Sequence, residues 1–414
     1  DNGWSGSNLI LNKLLNAQRK EDNGAVTITT SAKAAVDVLP GVMLPHTLDT
    51  MIQNGMNSTT SPSAGIRFLS RALEAPQVSA SDVVRTLNSA VQMVAAGGVQ
   101  NALLTTGEAA AKAIQDHNSV ANHTMQHGGQ DADVWVNVLY GNNRNRDFSA
   151  GNMDYGYDTD FYGVIAGADV TRDTRVGQLR SGVAFHAGNG KVNSSGDFNS
   201  TKNDFNFFGA SLYENWRMDS FNVTADIGYS ASNNDVQQRI PGYLDMGNKI
   251  KGSVDAHLFT VGMTGEYLFK TDVVDVIPYV GARYNQLTTD SFTTKANNEA
   301  LFRTGKERQD IWQFPVGVRL NKTFVAGSGW AISPQADLAV VPVAGNTHAN
   351  TTVRTYGVSA TDTMNAQVMD RTSFNGQLGV KAQKGNVTWG VSYNIAASEH
   401  ETGQAGMVSF KYAF

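Results

Sequence analysis

The 414-residue sequence contains no cysteine, which excludes disulfide frameworks, thiolate metal sites and cysteine nucleophiles together. It has only 9 prolines and 17% charged residues, against about 25% charged in an ordinary soluble domain. No run approaches the ~20 consecutive apolar residues of a transmembrane helix, so a helical membrane protein is excluded. The net charge of −5 argues against a nucleic-acid partner, which would favour a basic face. Enzyme signatures are also missing: there is no Gly-x-Ser-x-Gly elbow, no phosphate-cradling glycine loop and no His-Glu-x-x-His. The near miss Gly3-Trp4-Ser5-Gly6-Ser7 reads as linker. The opening Asp1-Asn2-Gly3 lacks the basic and apolar regions of a secretion signal, so it is not expected to be a precursor's own N-terminus. What is abundant is glycine, 41 residues, alongside 18 Phe, 13 Tyr and 6 Trp. Low charge with many glycines and aromatics, but no apolar runs, is the composition of a transmembrane β-barrel.

The chain changes character near residue 130. Before it the apolar period is helical. Val83, Val84, Leu87, Ala90, Val91 and Val94 form one stripe, with Ser81 as N-cap and Gly97-Gly98 as the stop. Shorter helices are expected over 8–19 and 63–75, while 25–44 fits strand or helix. Thr105 and Glu108 have capping-box spacing ahead of an alanine-rich helix. Beyond Gln115 that helix turns polar on every side, through His117, Asn118, Asn122, His123 and His127. Such a helix needs a polar cavity or neighbours to hold it.

From Asp133 onward the period is two. Twelve alternating runs follow, near 133–142, 160–171, 175–188, 203–217, 219–231, 254–270, 273–287, 311–325, 329–343, 371–384, 386–397 and 404–414. Each can supply the ~9–11 residues of a tilted membrane strand. Short turns alternate with long polar connections at 143–159, 189–202, 232–253, 288–310 and 344–370, the pattern of periplasmic turns and extracellular loops. The expected fold is mainly β: a twelve-stranded antiparallel transmembrane barrel after a helix-rich N-terminal segment. Tyr140, Tyr267, Phe269, Tyr284, Trp312, Phe324, Trp330, Trp389, Tyr393 and Phe414 read as interface girdles.

Four stretches resemble the C-terminal translocator domain of monomeric autotransporters, the type V secretion family. They are Gly156-Tyr157-Asp158-Thr159-Asp160 with Gly163–Asp169, Pro278–Tyr284 with Asp290-Ser291-Phe292, Phe314–Leu320, and the terminal Val408–Phe414. The resemblance covers about residues 105–414. It implies an outer-membrane translocator that exports its own N-terminal passenger to the cell surface, with residues 105–130 as a luminal helix plugging the barrel of 131–414. Residues 1–104 would then be the passenger's C-terminal portion or a linker. It implies assembly by the barrel-assembly machinery, which would read Phe410, Tyr412 and Phe414, although Ser409 stands where a glycine is common. Periplasmic chaperones, outer-membrane lipid and lipopolysaccharide, and the chain's own passenger are the expected partners, for a monomer. An adhesin acting through its long loops, or a passive porin, are the alternatives.

The polar face of each strand gives the expected lumen: Arg180, Asp226, Glu266, Arg283, Arg319, Asp337, Lys381 and Lys411. These charges either hold the barrel's shape or contact the helix, and Glu266, Arg283 and Arg319 are expected to form one network. Some members of the family cut their own passenger free through an asparagine side chain. Asn118 and Asn122 are the only candidates for this, but the paired-asparagine motif is missing from 105–127, so no catalytic activity is expected. His123 and His127 share a helix face, yet no carboxylate partner is fixed, so no metal and no cofactor are expected.

Overall fold

The computed structural model describes residues 12–55, 61–122 and 132–414. Twelve antiparallel strands close on themselves, because the last strand (Glu401–Ala413) pairs along its length with the first (Ala132–Ala150). Closure leaves no edge and satisfies each strand's backbone groups within the wall. Strand 2 spans Met153–Thr174, strand 3 Gly177–Gly196, strand 4 Thr201–Met218, strand 5 Phe221–Arg239, strand 6 Lys249–Tyr267 and strand 7 Asp275–Thr289. Strand 8 is built from Glu307–Gln313 and Val316–Asn321, interrupted at Phe314-Pro315. Strands 9, 10 and 11 are Ala331–Gly345, Thr372–Lys384 and Val387–Ser398.

The long polar connections expected at 143–159, 189–202 and 232–253 are mostly not loops. Strands 1 to 6 run to 18–22 residues, about twice what a bilayer requires. Strands 1 and 2 turn over at residues 151–152 alone. The segments 288–310 and 344–370 contain paired hairpins, Phe292–Ala296 with Glu299–Thr304 and His348–Thr355 with Thr361–Gln367. The wall therefore continues well beyond the membrane. Residues 141–150 of strand 1 alone add roughly 25 Å at ordinary strand rise and tilt.

The two faces of the wall exchange character at one level. In strand 6, Phe259, Val261 and Met263 face outward and are exposed, while Thr260, Thr264 and Glu266 face inward and are buried. Farther along the same strand, Lys249, Lys251 and Asp255 face outward and Ile250, Val254 and Ala256 are buried. An apolar doublet marks the exchange on several strands: Phe161-Tyr162, Phe207-Phe208, Leu258-Phe259 and Ile311-Trp312, the first residue buried and the second exposed. Below the doublets the barrel is apolar outside and polar inside, as lipid demands. Above them it is an aqueous protein with an apolar interior.

The N-terminal segment fills that upper interior. Helices Pro45–Gly55, Ala64–Glu74 and Ala80–Val91 bury Leu48, Phe68, Leu69, Leu73, Val83 and Leu87 in one core with Phe148, Tyr155, Tyr157, Phe205, Ile250 and Phe302 of the wall. The apolar stripe read from residues 83–94 thus has its partner in the barrel. Its N-cap is Ser79 rather than Ser81, with Ser79 Oγ accepting from the Asp82 amide at 3.1 Å. The helix expected over 8–19 lies outside the described residues at 8–11 and is corrected over the rest: Leu15–Asp22 pairs with Ala25–Ala32 as an exposed hairpin. Asn23-Gly24 turns it, both at positive φ (48° and 81°), and that dipeptide outweighs the helical spacing of the leucines before it.

Candidate functional site

The site is the contact between the lumen and the helix Val99–Asn118. Its 20 residues make about 30 Å of helix. Thr105 does not cap it: the helix continues from Val99, N-terminal to Thr105, and Thr105 Oγ1 instead accepts from Asn143 of strand 1 at 3.1 Å. Like the wall around it, the helix changes composition along its length. Val99, Leu103 and Leu104 join the apolar core, whereas Glu108, Lys112, Asp116, His117 and Asn118 enter the polar barrel. The helix ends at Asn118, followed by a short 3-10 turn at Val120–Asn122; the expected continuation through His123 and His127 lies outside the described residues.

The helix end is gripped from several strands. His117 Nε2 lies 2.6 Å from Asp169 Oδ2 and its ring stacks on Trp135 at 4.8 Å. Tyr213 donates to the same Asp169 oxygen at 2.6 Å and accepts from Trp135 Nε1 at 2.9 Å. Asn118 carbonyl accepts from Asn222 and Asn215 at 3.0 and 3.3 Å. Glu266 takes the Val120 amide at 2.6 Å, the Ser119 hydroxyl at 3.0 Å and the Asn222 amide at 2.8 Å. Asp116 pairs with Arg319 at 3.0 Å and with Lys112 at 3.3 Å. These are charge-assisted bonds in a buried setting, the stronger class. Glycine makes room for the large inward rings: a Cβ on Gly167 would lie 2.4 Å from the Trp135 ring.

Each luminal residue expected from the strand phase has a traceable partner or place. Arg180 lies 3.3 Å from Asp133 and 3.4 Å from Asp169, and donates to Asn118 Oδ1. Arg283 makes a bidentate bridge to Asp226 at 2.6 and 2.8 Å, crossing Gly262, where a Cβ would stand 2.3 Å from its guanidinium. Asp337 receives Tyr279 and lies 3.4 Å from Arg319. Lys411 is 3.6 Å from Asp133, and Lys381 lines the cavity between helix and wall. Glu266, Arg283 and Arg319 do not form the single network expected of them; each is bound to different partners on its own part of the wall. Sequence reasoning did not single out Asp169, Tyr213, Asn215 and Asn222 as lumen residues; Asp169 offered the same signal as Asp226, an inward carboxylate, whereas the other three are uncharged and give none beyond inward phase.

Asn118 and Asn122 serve as anchors. Asn118 Nδ2 donates to Ile114 carbonyl at 2.8 Å, one turn back and away from its own carbonyl. Asn122 donates to Asp116 carbonyl and accepts from Gln335 at 2.8 Å. His117, Asp133 and Asp169 lie close enough together to suggest a metal site, but Arg180 and Lys411 already bring positive charge to the two carboxylates. Phe410 packs on Trp389 at 4.7 Å and Tyr412 on Phe414 at 4.9 Å, at the lower outer rim. At the upper end, Asp370 ties the 398–400 turn: it accepts from Ser398 Oγ and His400 N at 2.6 and 2.7 Å, and meets His400 Nδ1 at 2.6 Å. The bond to Asp370 raises the His400 pKa above its ordinary value. Burial of Asp370 works against its ionisation, but the bonds from Ser398 and His400 outweigh it and hold its pKa low.

The family model described as autotransporter beta-domain matches residues 134–394. Among solved structures, the translocator domain of autotransporter NalP from Neisseria meningitidis is similar at 14% identity and a TM-score of 0.58, covering 78% of this chain and 99% of that one. The transport unit of AIDA-I from Escherichia coli is similar at 14% identity and a TM-score of 0.52, covering 76% and 99%. A search of curated protein sequences finds no match.

Proposed function

This chain belongs to the autotransporter β-domain family, and on that premise we propose that it is an outer-membrane translocator exporting the passenger attached ahead of it. The observation that carries the reading is the path of one continuous chain. The helix Val99–Asn118 runs through the lumen with its C-terminal end gripped near the start of strand 1, and the described residues N-terminal to it sit in or above the aqueous part of the barrel. This connectivity is what export of the preceding chain through the barrel would leave behind, and it supports the reading. Once there, the helix fills the side of the lumen against strands 2 to 6 and blocks passage of further polypeptide. Phe410, Tyr412 and Phe414 supply the terminal aromatic row for assembly of a monomeric barrel in lipid and lipopolysaccharide, aided by the barrel-assembly machinery and periplasmic chaperones.

A reporter fused ahead of residue 1 tests the reading. Accessibility to antibody on intact cells is the expected result, and a reporter retained in the periplasm refutes it. Adhesion through the connections at 288–310 and 344–370 is less favoured, because Phe302, Val353 and Met364 are buried in the cap core. Those segments are wall, not free loops.

A further inference from the structure

Among the described residues, the apolar outer wall below the doublets is broken near its middle at one place. The outward row of strand 4 reads Phe208, Ala210, Leu212, Glu214 and Trp216, so a carboxylate faces lipid inside the apolar band. Its level follows from the strand pairing. Glu214 lies opposite Ala225 of strand 5, which stands four residues from Phe221 and four from Tyr229. Phe221 pairs with Tyr267 of the lower girdle, and Tyr229 pairs with Phe259 at the upper boundary. Four residues of tilted strand rise about 10 Å, which puts Glu214 near the middle of a band about 25 Å tall.

The barrel itself does not neutralise this charge. Ser181 Oγ of strand 3 donates to Glu214 Oε2 at 2.8 Å. Arg172, near the lower end of strand 2, reaches that hydroxyl at 3.5 Å but makes no ion pair with the carboxylate. An ionisable side chain within a membrane is costly, and it is ordinarily found paired. The surface around Glu214 is also low. A shallow trough of about 1150 Å³ crosses strands 1 to 8 past it, from Phe414 at the lower rim to Trp312 at the upper boundary, and is lined by the small residues Ala168, Ser181 and Ala225. Small residues let a neighbouring membrane segment approach closely.

The setting decides what could fill the trough. Lipid headgroups lie at the girdles, and acyl chains offer a carboxylate no donor. A second copy, turned about an axis along the membrane normal, would set Glu214 against Glu214 at one level, like charge against like. The complement is a cation carried at mid-membrane by an apolar segment. We propose that the outer face of strands 2 to 6 is a docking surface within the membrane for an apolar segment of another protein, which presents one lysine or arginine to Glu214. This interaction is separate from polypeptide export and does not involve the lumen.

The test uses the full chain folded into zwitterionic vesicles and a probe peptide, an apolar transmembrane helix of leucine and alanine with one central lysine. Energy transfer between labelled barrel and labelled peptide is expected to show binding ~5–30-fold tighter than for the same peptide with leucine in place of lysine, the range of a side-chain hydrogen bond between membrane segments. Glu214→Leu removes that preference and leaves the barrel folded, as read by heat-dependent gel mobility. In intact cells, a benzophenone side chain at position 212 is expected to give a discrete adduct with another protein. That adduct is absent from Glu214→Leu, and absent when the benzophenone replaces the exposed Leu338 on the far wall. Equal binding of the two peptides, a preference that survives Glu214→Leu, loss of the folded barrel in Glu214→Leu, or an adduct with lipid alone or with a second copy of this chain overturns the proposal.

Discussion

Val236 and Gln237 are adjacent in strand 5, on a stretch whose polar composition reads as an extracellular loop. In the structure Val236 is 2% exposed and packs beside the helical cap, where a Cβ on Gly97 would stand 3.2 Å from Val236 Cγ1. Gln237 faces outward between Lys202 and Lys251 of the neighbouring strands. Val236→Asp removes the burial of a valine, about 1.5–3 kcal/mol, and leaves a buried carboxylate without a partner, about 3–5 kcal/mol. The total, on the order of 4–8 kcal/mol, rivals the ~5–15 kcal/mol that holds an ordinary domain together. The cap is therefore expected to undock. Gln237→Asp gains two lysine neighbours and stays within about 0.5 kcal/mol of the parent. Protease digestion of whole cells reads the difference: residues 61–98 become cleavable in Val236→Asp and remain protected in Gln237→Asp, with the barrel intact in both. Equal protection in the two variants refutes an apolar interior above the membrane.

Three further outcomes follow from the grip on the helix and the upper latch. Glu266→Gln loses the carboxylate that accepts from Val120, Ser119 and Asn222, bonds worth about 1.5–3 kcal/mol each, so frequent large openings are expected in bilayer recordings; quiet recordings would contradict the anchor. The raised pKa of His400 makes its contribution fully present below its ordinary 6.5 and lost as pH rises through the folded value. The lowered pKa of Asp370 makes its share present above its ordinary 3.8 and lost as pH falls through the folded value. Amide-exchange protection of 398–401 should thus peak between those limits and lose its alkaline decline in Asp370→Asn. Finally, parent and Asn118→Gln chains should have the same size, because the Asn118 amide donates to the Ile114 carbonyl and away from its own; a fragment starting at Ser119 in the parent and missing from Asn118→Gln would show self-cleavage instead.

The twelve strands and the charged lumen were legible in the sequence because lipid forces a strict alternation, and one phase fixes both faces. Glu266, Arg319 and Asp337 follow from that phase alone. The upper wall was hidden by the same logic. Above the doublets the alternation persists with its sign reversed, so Lys251 and Asp255 outside, over Val254 and Ala256 inside, look like polar loop to a reading that expects apolar outward faces. The doublets themselves, such as Phe207-Phe208, were the available signal. The amphipathic helices ahead of residue 99 had no visible partner for the same reason, since their partner is this inverted interior. The anchoring amides Asn215 and Asn222 depend on where the helix ends, which periodicity does not determine.

Strand 6 offers the most direct test of a wall that crosses lipid below and stands in water above. In the cysteine-free background, Lys251→Cys and Val261→Cys occupy the same outward row, separated by the Leu258-Phe259 doublet. A membrane-impermeant maleimide applied to intact cells should label position 251 and spare 261. Comparable labelling at both positions would contradict the membrane boundary drawn here.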